Sequence, residues 1–309
     1  MKIQKPQFWK KKNNIISLLL LPFSLFIQLL MIIKKRLTIQ YSFKIPIICV
    51  GNIYLGGTGK TPLSIMITHE LKKLKRNPAI IKKYYSEHFD EHNLINNRLN
   101  CLILDKQRSR AIKNAEKKRF DVVILDDGFQ DYSIKKDLNI LCFNSNQLVG
   151  NGMTIPSGPL RESLSAIKKA QIIIINGNKN KLFENRILDI SNKIKIFYSK
   201  YIPTNVKEFK NKKLFAFAGI GNPNNFFKLL TENKLNLKKK VSFPDHYQFS
   251  KIDIQKIIAE SKKKKLDIIT TEKDYFRIKD YGFKNIKFLK IKLEILEKDK
   301  LVNQILNYI

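Results

Sequence analysis

The chain has 309 residues, enough for one large α/β domain or two smaller ones around a sizeable core. Hydrophobic residues make up 43% and are spread along its length, which excludes an intrinsically disordered protein. The formal net charge of +33 asks for an anionic partner. Lysine is abundant in every segment and no nucleic-acid reader motif accompanies it, so a lipid surface or a phosphorylated substrate is expected and nucleic acid is not.

In chain order, residues 15–33 read IISLLLLPFSLFIQLLMII, about the minimum length for a bilayer span. Lys10, Lys11 and Lys12 precede this run, and Lys34, Lys35 and Arg36 follow it. No small-residue cleavage site comes after it. A single span, a helix lying in the interface and a buried core helix all fit, and Pro22 kinks any of them. Length and composition favour membrane attachment, and the basic flanks suit anionic lipids.

From residue 41 short β-branched runs alternate with helical stretches, as in βαβ units. Strands are predicted over 45–50, 79–81, 101–104, 122–125, 139–143 and 171–175, with a further one over 193–198. None alternates cleanly, as expected of a parallel sheet covered on both faces. The polar stretch 201–213, with Pro203, reads as a linker. A second α/β unit follows, with strands over 214–218, 239–242 and 266–270, a helix near 226–233 and another after Ser250. A last strand over 288–292 and a helical end complete it. The expected organisation is an apolar N-terminal region 1–40, a first domain 41–200, the linker, a second domain 214–298 and a C-terminal helix 299–309. Cys49, Cys101 and Cys142 lie in strand-like runs without CxxC spacing and read as buried, reduced thiols.

The first predicted strand runs into Gly51-Asn52-Ile53-Tyr54-Leu55-Gly56-Gly57-Thr58-Gly59-Lys60-Thr61, and a helical pattern begins at Pro62. Strand, glycine turn and helix together make a cradle for phosphates. Glycines let backbone N–H groups converge on the oxygens, and the helix N-terminus adds partial positive charge. Residues 54–61 therefore read as an ATP site, with Lys60 on the β- and γ-phosphates and Thr61 on Mg²⁺. The general G-x-x-x-x-G-K-[ST] pattern expects glycine where this chain has Tyr54. A buried acidic strand end should complete such a site, and Val122-Val123-Ile124-Leu125-Asp126-Asp127-Gly128 supplies one. Asp126 is thereby placed at the carboxyl edge of a parallel sheet, where a carboxylate can hold Mg²⁺.

Further phrases point the same way: Asp126-Asp127-Gly128-Phe129-Gln130, Gly158-Pro159-Leu160-Arg161-Glu162, Gly219-Ile220-Gly221-Asn222-Pro223, Phe243-Pro244-Asp245-His246 and Thr271-Glu272-Lys273-Asp274. In this order, with Gly51-Asn52, they resemble the tetraacyldisaccharide 4′-kinases, the lipid A 4′-kinases. The resemblance implies two P-loop-NTPase-like α/β domains with mostly parallel sheets, joined by a linker, plus an N-terminal membrane-associated helix. It implies phosphoryl transfer from ATP, with Mg²⁺, to an acylated disaccharide 1-phosphate. The expected place is the cytoplasmic face of the inner membrane, against its anionic lipids. By resemblance Asp90 is the catalytic carboxylate and His246 the histidine that supports it. Asp126 and Glu162 match acidic residues near Mg²⁺, and Asp127 and Arg161 match residues near the phosphates or the acceptor. Where that family commonly has Ser-Arg-Gly-Tyr-Gly after the second strand, Lys82-Lys83-Tyr84-Tyr85 stands here. Asp131 replaces the usual histidine after Asp-Gly-Phe-Gln. Competing readings are a membrane-associated regulatory P-loop ATPase, which would carry lysine in place of Leu55, and a P-loop protein that binds nucleic acid by charge.

Overall fold

A computed structural model describes residues 6–85, 92, 95, 96, 98–245 and 247–309. They form two compact units, the larger built from Lys5–Tyr84, Leu99–Lys200 and Leu293–Ile309, the smaller mainly from Tyr201–Lys292.

The larger unit begins with helices α1 (Ile15–Leu19) and α2 (Leu21–Leu37), followed by β1 (Ile47–Gly51), α3 (Lys60–Lys73), β2 (Pro78–Lys83) and β3 (Leu102–Asp105). Next come α4 (Arg108–Lys117), β4 (Val122–Asp126), β5 (Leu138–Asn144), β6 (Ile172–Asn176), α5 (Lys181–Ile190) and β7 (Lys195–Pro203). The central sheet has the order β12-β7-β6-β5-β1-β4-β2-β3, with β12 at Ile291–Ile295. Strands β1 and β4 are buried along their whole length, the pattern of a parallel sheet sandwiched between helices. On either side of β1 the chain order runs in opposite directions, to β5 on one side and β4 on the other. That is the switch point where open α/β sheets bind ligands.

The smaller unit holds β8 (Lys213–Ala218), α6 (Pro223–Glu232), β9 (Asn236–Ser242), α7 (Lys251–Lys263), β10 (Asp267–Thr271), α8 (Glu272–Ile278) and β11 (Ile286–Leu289). Its sheet has the order β11-β10-β8-β9, all parallel, with an apolar cluster on each face. Ser250 starts α7 with a capping box to Asp253. A final helix, α9 (Lys298–Leu306), belongs to the larger unit.

Three local expectations change. The strand predicted over 288–292 is two strands in two sheets, β11 and β12. They divide at Lys290, whose N–H donates to Asn205 Oδ1 at 2.8 Å while its carbonyl accepts from Thr204 N at 2.9 Å. Part of the stretch 201–213 is regular: Tyr201–Pro203 complete β7, and a short 3₁₀ helix, Val206–Phe209, buries Phe209 in the smaller unit's core. The apolar run is two helices. The break falls at Leu20, and Pro22 sits in the first turn of α2, where a missing N–H costs nothing.

The face that α1 and α2 bury is polar. Ser24 Oγ donates to Thr154 O at 2.9 Å and accepts from Ser157 N at 3.0 Å, and Gln28 Nε2 reaches Thr154 Oγ1 at 2.7 Å. Asn151 Nδ2 donates to Ser17 Oγ at 3.0 Å. The apolar side chains point away from this seam: Phe23 is 63% exposed, and Phe26, Leu29 and Ile32 are also exposed. Among the described residues no helix is long and apolar enough to cross a membrane.

Candidate functional site

β1 carries the chain through the core and releases it at Gly51, so the loop 52–59 emerges at the sheet's carboxyl edge and leads into α3. Two glycines have backbones that favour glycine, Gly56 at φ 126° and Gly59 at φ 99°. Tyr54 does not have positive φ, which explains why the pattern's first glycine is dispensable here. Its backbone instead forms an antiparallel bridge with Leu160, and Leu55 N donates to Pro159 O at 2.8 Å. Arg161 N donates to Ile53 O at 2.7 Å, so the Gly-Pro-Leu-Arg-Glu segment is stitched to the first half of the loop. A Cβ at Gly57 would meet no atom within 4 Å, so the loop's open face lies there.

The loop is organised from inside by Asn52. Its fully buried amide Nδ2 contacts Tyr54 O at 2.7 Å, Thr58 Oγ1 at 3.0 Å and Gly56 O at 3.1 Å. These contacts tie three residues of the loop to one buried side chain. Pro62 falls in the first turn of α3, where the N–H groups have no intrahelical partner.

Behind the loop, Asp126 ends β4 and is completely buried. Thr61 Oγ1 donates to its Oδ2 at 2.9 Å, and Ser64 Oγ to its Oδ1 at 3.3 Å. Lys82, its register partner on β2, places Nζ 2.7 Å from Oδ2. A hydroxyl and a carboxylate oxygen side by side at a strand end suit Mg²⁺, which takes one or two carboxylates plus phosphate oxygens and keeps several waters. Glu162 is bound elsewhere in this arrangement: its carboxylate accepts from Gln130 Nε2 and Lys169 Nζ, both at 3.1 Å. No cluster of three or more His, Cys, Asp or Glu that could hold a metal by itself occurs among the described residues.

Asp127 has a left-handed backbone, φ 62°, and turns its carboxylate toward three cations. Arg161 Nη1 donates to Asp127 Oδ1 at 3.0 Å, and Lys60 Nζ stands 3.7 Å from the same oxygen. Burial by itself would raise the acid's pKa; Lys60, Arg161 and Lys82 outweigh it and pull it down to about 2. Arg108 fixes the backbone here, donating to Asp127 O at 2.8 Å and to Asp131 Oδ2 at 3.1 Å. Gln130 joins the two halves of the site, since its Nε2 also donates to Asn52 O at 2.9 Å.

The structure thus brings together Lys60, Thr61, Asp126, Asp127 and Arg161 around the loop 54–61, with Glu162 joined to Arg161 through Gln130. Asp90 and His246 lie outside the described residues. Sequence reasoning quoted Asn52, Lys82 and Gln130 within longer phrases but gave them no role, and it did not name Arg108. Lys82 carried a usable signal, a charged residue directly after the apolar run 79–81, the same logic that located Asp126. Arg108, the first residue of α4, carried none. The three cysteines are free and buried; burial pushes the Cys49 thiol up to about 12, consistent with an inert core residue.

The family model for tetraacyldisaccharide-1-P 4′-kinase matches residues 16–309. The chain is 42% identical to the tetraacyldisaccharide 4′-kinase of Pelagibacter ubique, over 99% of this chain and 98% of that protein. It is 31% identical to the protein of the same name from Francisella tularensis subsp. novicida, over 93% of this chain and 98% of that one. The crystal structure of LpxK from Aquifex aeolicus in complex with ATP superposes with a TM-score of 0.74 over 95% of this chain and 99% of that chain. At 24% identity it supports the α/β fold with mostly parallel sheets.

Proposed function

Because the chain belongs to the tetraacyldisaccharide-1-P 4′-kinase family, we propose that it transfers the γ-phosphoryl group of ATP to the 4′-hydroxyl of a tetraacylated disaccharide 1-phosphate, forming lipid IVA. The observation that carries the reading is the Thr61–Asp126 pair, 2.9 Å apart behind the glycine loop.

Backbone N–H groups of residues 56–60 receive the phosphates, and Lys60 leaves Asp127 to neutralise them. Thr61 and Asp126 would hold Mg²⁺, and Glu162 would serve as a further acidic group near it once freed from Gln130 and Lys169. The ion, when bound, screens the charge that collects on the phosphate oxygens. Arg161, already aligned on Asp127, is aimed at the transferring group or at the acceptor's own phosphate. Asp90 accepts the proton of the attacking hydroxyl, and His246 supports its carboxylate. A bond forms between the sugar oxygen and the γ-phosphorus, the bond to the bridging oxygen breaks, and ADP leaves. Catalysis of this kind rests on positioning and charge neutralisation.

The exposed apolar sides of α1 and α2 lie on the cytoplasmic face of the inner membrane, where an acylated substrate resides. Lys34, Lys35 and Arg36 then face anionic headgroups. A polar seam holding α2 to the larger unit supports the helices lying along the interface.

The test is to incubate the purified full chain with γ-labelled ATP, Mg²⁺ and the detergent-dispersed acceptor. Label is expected in the lipid, and lost in Lys60→Ala. ATP hydrolysis without labelled lipid would overturn the assignment.

A further inference from the structure

Lys82 ends a strand that is otherwise apolar, and its ammonium is enclosed: the side chain is 6% exposed and that of Asp126 is 0%. A lysine in such surroundings stays charged only when well paired. Asp126 is one of its partners, and the contact is made at Oδ2, 2.7 Å away, the oxygen that also accepts from Thr61. Oδ1 is engaged by Ser64. The other cations of the site, Lys60 and Arg161, are turned to Asp127. Asp126 and Thr61 are thus offered to a divalent ion with an ammonium already resting on their shared oxygen.

The consequence follows from charge. A divalent ion approaching alone meets one carboxylate and, beside it, an ammonium whose repulsion offsets much of the attraction. An ion arriving with a nucleotide brings several phosphate negative charges, which the same ammonium attracts. We propose that Lys82 is the built-in counter-cation of Asp126 and makes the site take its divalent ion together with the nucleotide and not by itself. This rests on the assignment of Thr61 and Asp126 to Mg²⁺ given above. Lys82 is a positioning residue, acting through Asp126.

The probe is Mn²⁺, followed by electron paramagnetic resonance on the full chain, with and without a non-hydrolysable ATP analogue. The wild type is expected to bind Mn²⁺ weakly alone and tightly with the analogue. Equal affinity in both conditions would overturn the proposal without any variant. Lys82→Gln keeps an N–H donor for Asp126 and removes the charge, so its affinity for Mn²⁺ alone should rise about tenfold or more. Lys82→Arg should behave as the wild type does. A Lys82→Gln chain that folds, binds Mn²⁺ with the analogue and shows unchanged affinity for Mn²⁺ alone would sink the inference and leave the metal assignment standing. Lys82→Met serves in the same comparison if the glutamine variant does not fold. With Mn²⁺ held by free analogue subtracted, an Mn²⁺ signal in the ternary complex that has the same line shape and affinity in Asp126→Asn as in the wild type would instead remove the metal assignment itself, and the inference with it.

Discussion

Asn52 Nδ2 donates to the carbonyl oxygen of Tyr54 at 2.7 Å, and the phosphate loop is shaped around that contact and its neighbours to Gly56 and Thr58. Each internal contact that holds the loop lowers the cost of ordering it around a nucleotide.

Asn52→Ala should therefore lower stability by about 1–3 kcal/mol, the cost of leaving buried carbonyl groups without a donor. The KM for ATP should rise more than kcat falls. Asn52→Asp should be worse than alanine, because a carboxylate has no N–H to give and faces two carbonyl oxygens. Steady-state kinetics and urea denaturation of both variants check the pair; an aspartate variant as good as wild type would contradict the role.

Asp127 sets an acid limit. Its pKa falls from 3.8 to about 2 in the folded chain. A depressed carboxylate contributes stability above its unfolded value, and that contribution is lost as pH falls through the folded one. The contribution should be constant from pH 5 upward and disappear between about pH 4 and pH 2. Asp127→Asn, which tolerates the left-handed backbone, should flatten the stability profile in that window. Denaturation midpoints across the range decide it, and a variant with an unchanged acid slope would rule Asp127 out as the source.

Phe23 and Phe26 are exposed on α2. Replacing both with serine should weaken binding to vesicles containing anionic phospholipid by about a hundredfold or more, since each ring buried in the interface contributes roughly 1.5–3 kcal/mol. The thermal midpoint should barely move. Vesicle co-sedimentation makes the comparison, and undiminished sedimentation would argue against these helices as the contact.

In the smaller unit, Asp274 is fully buried, accepts from Gly219 N at 3.0 Å and pairs with Arg277 at 2.7 Å. Asp274→Ala takes that carboxylate away from a buried guanidinium and should cost about 3–5 kcal/mol, with Asp274→Asn losing less. Urea denaturation would show it as an earlier transition; a shift below about 0.5 kcal/mol would mean the pair is not a structural lock.

Much of the site was legible along the chain because its parts are local. A glycine turn between a strand and a helix, or an aspartate after four apolar residues, carries its own geometry wherever it occurs. The second sheet was legible for the same reason, from runs such as 214–218 and 266–270. Lys290 was not: its backbone groups pair with Thr204 and Asn205, far away in sequence, and only that pairing divides one apparent strand between two sheets.

Residue type and short spacing are enough to specify the phosphate loop, the acidic strand end, the alternating α/β order and the family. Tertiary structure alone decided which charge meets which. Lys82 and Asp126 are 44 residues apart and become neighbours only because β2 and β4 pair in one particular register. It also decided that α1 and α2 turn serines inward and leucines and phenylalanines outward. Hydropathy counts the apolar residues of a helix, but the surface it docks against determines which of them remain exposed.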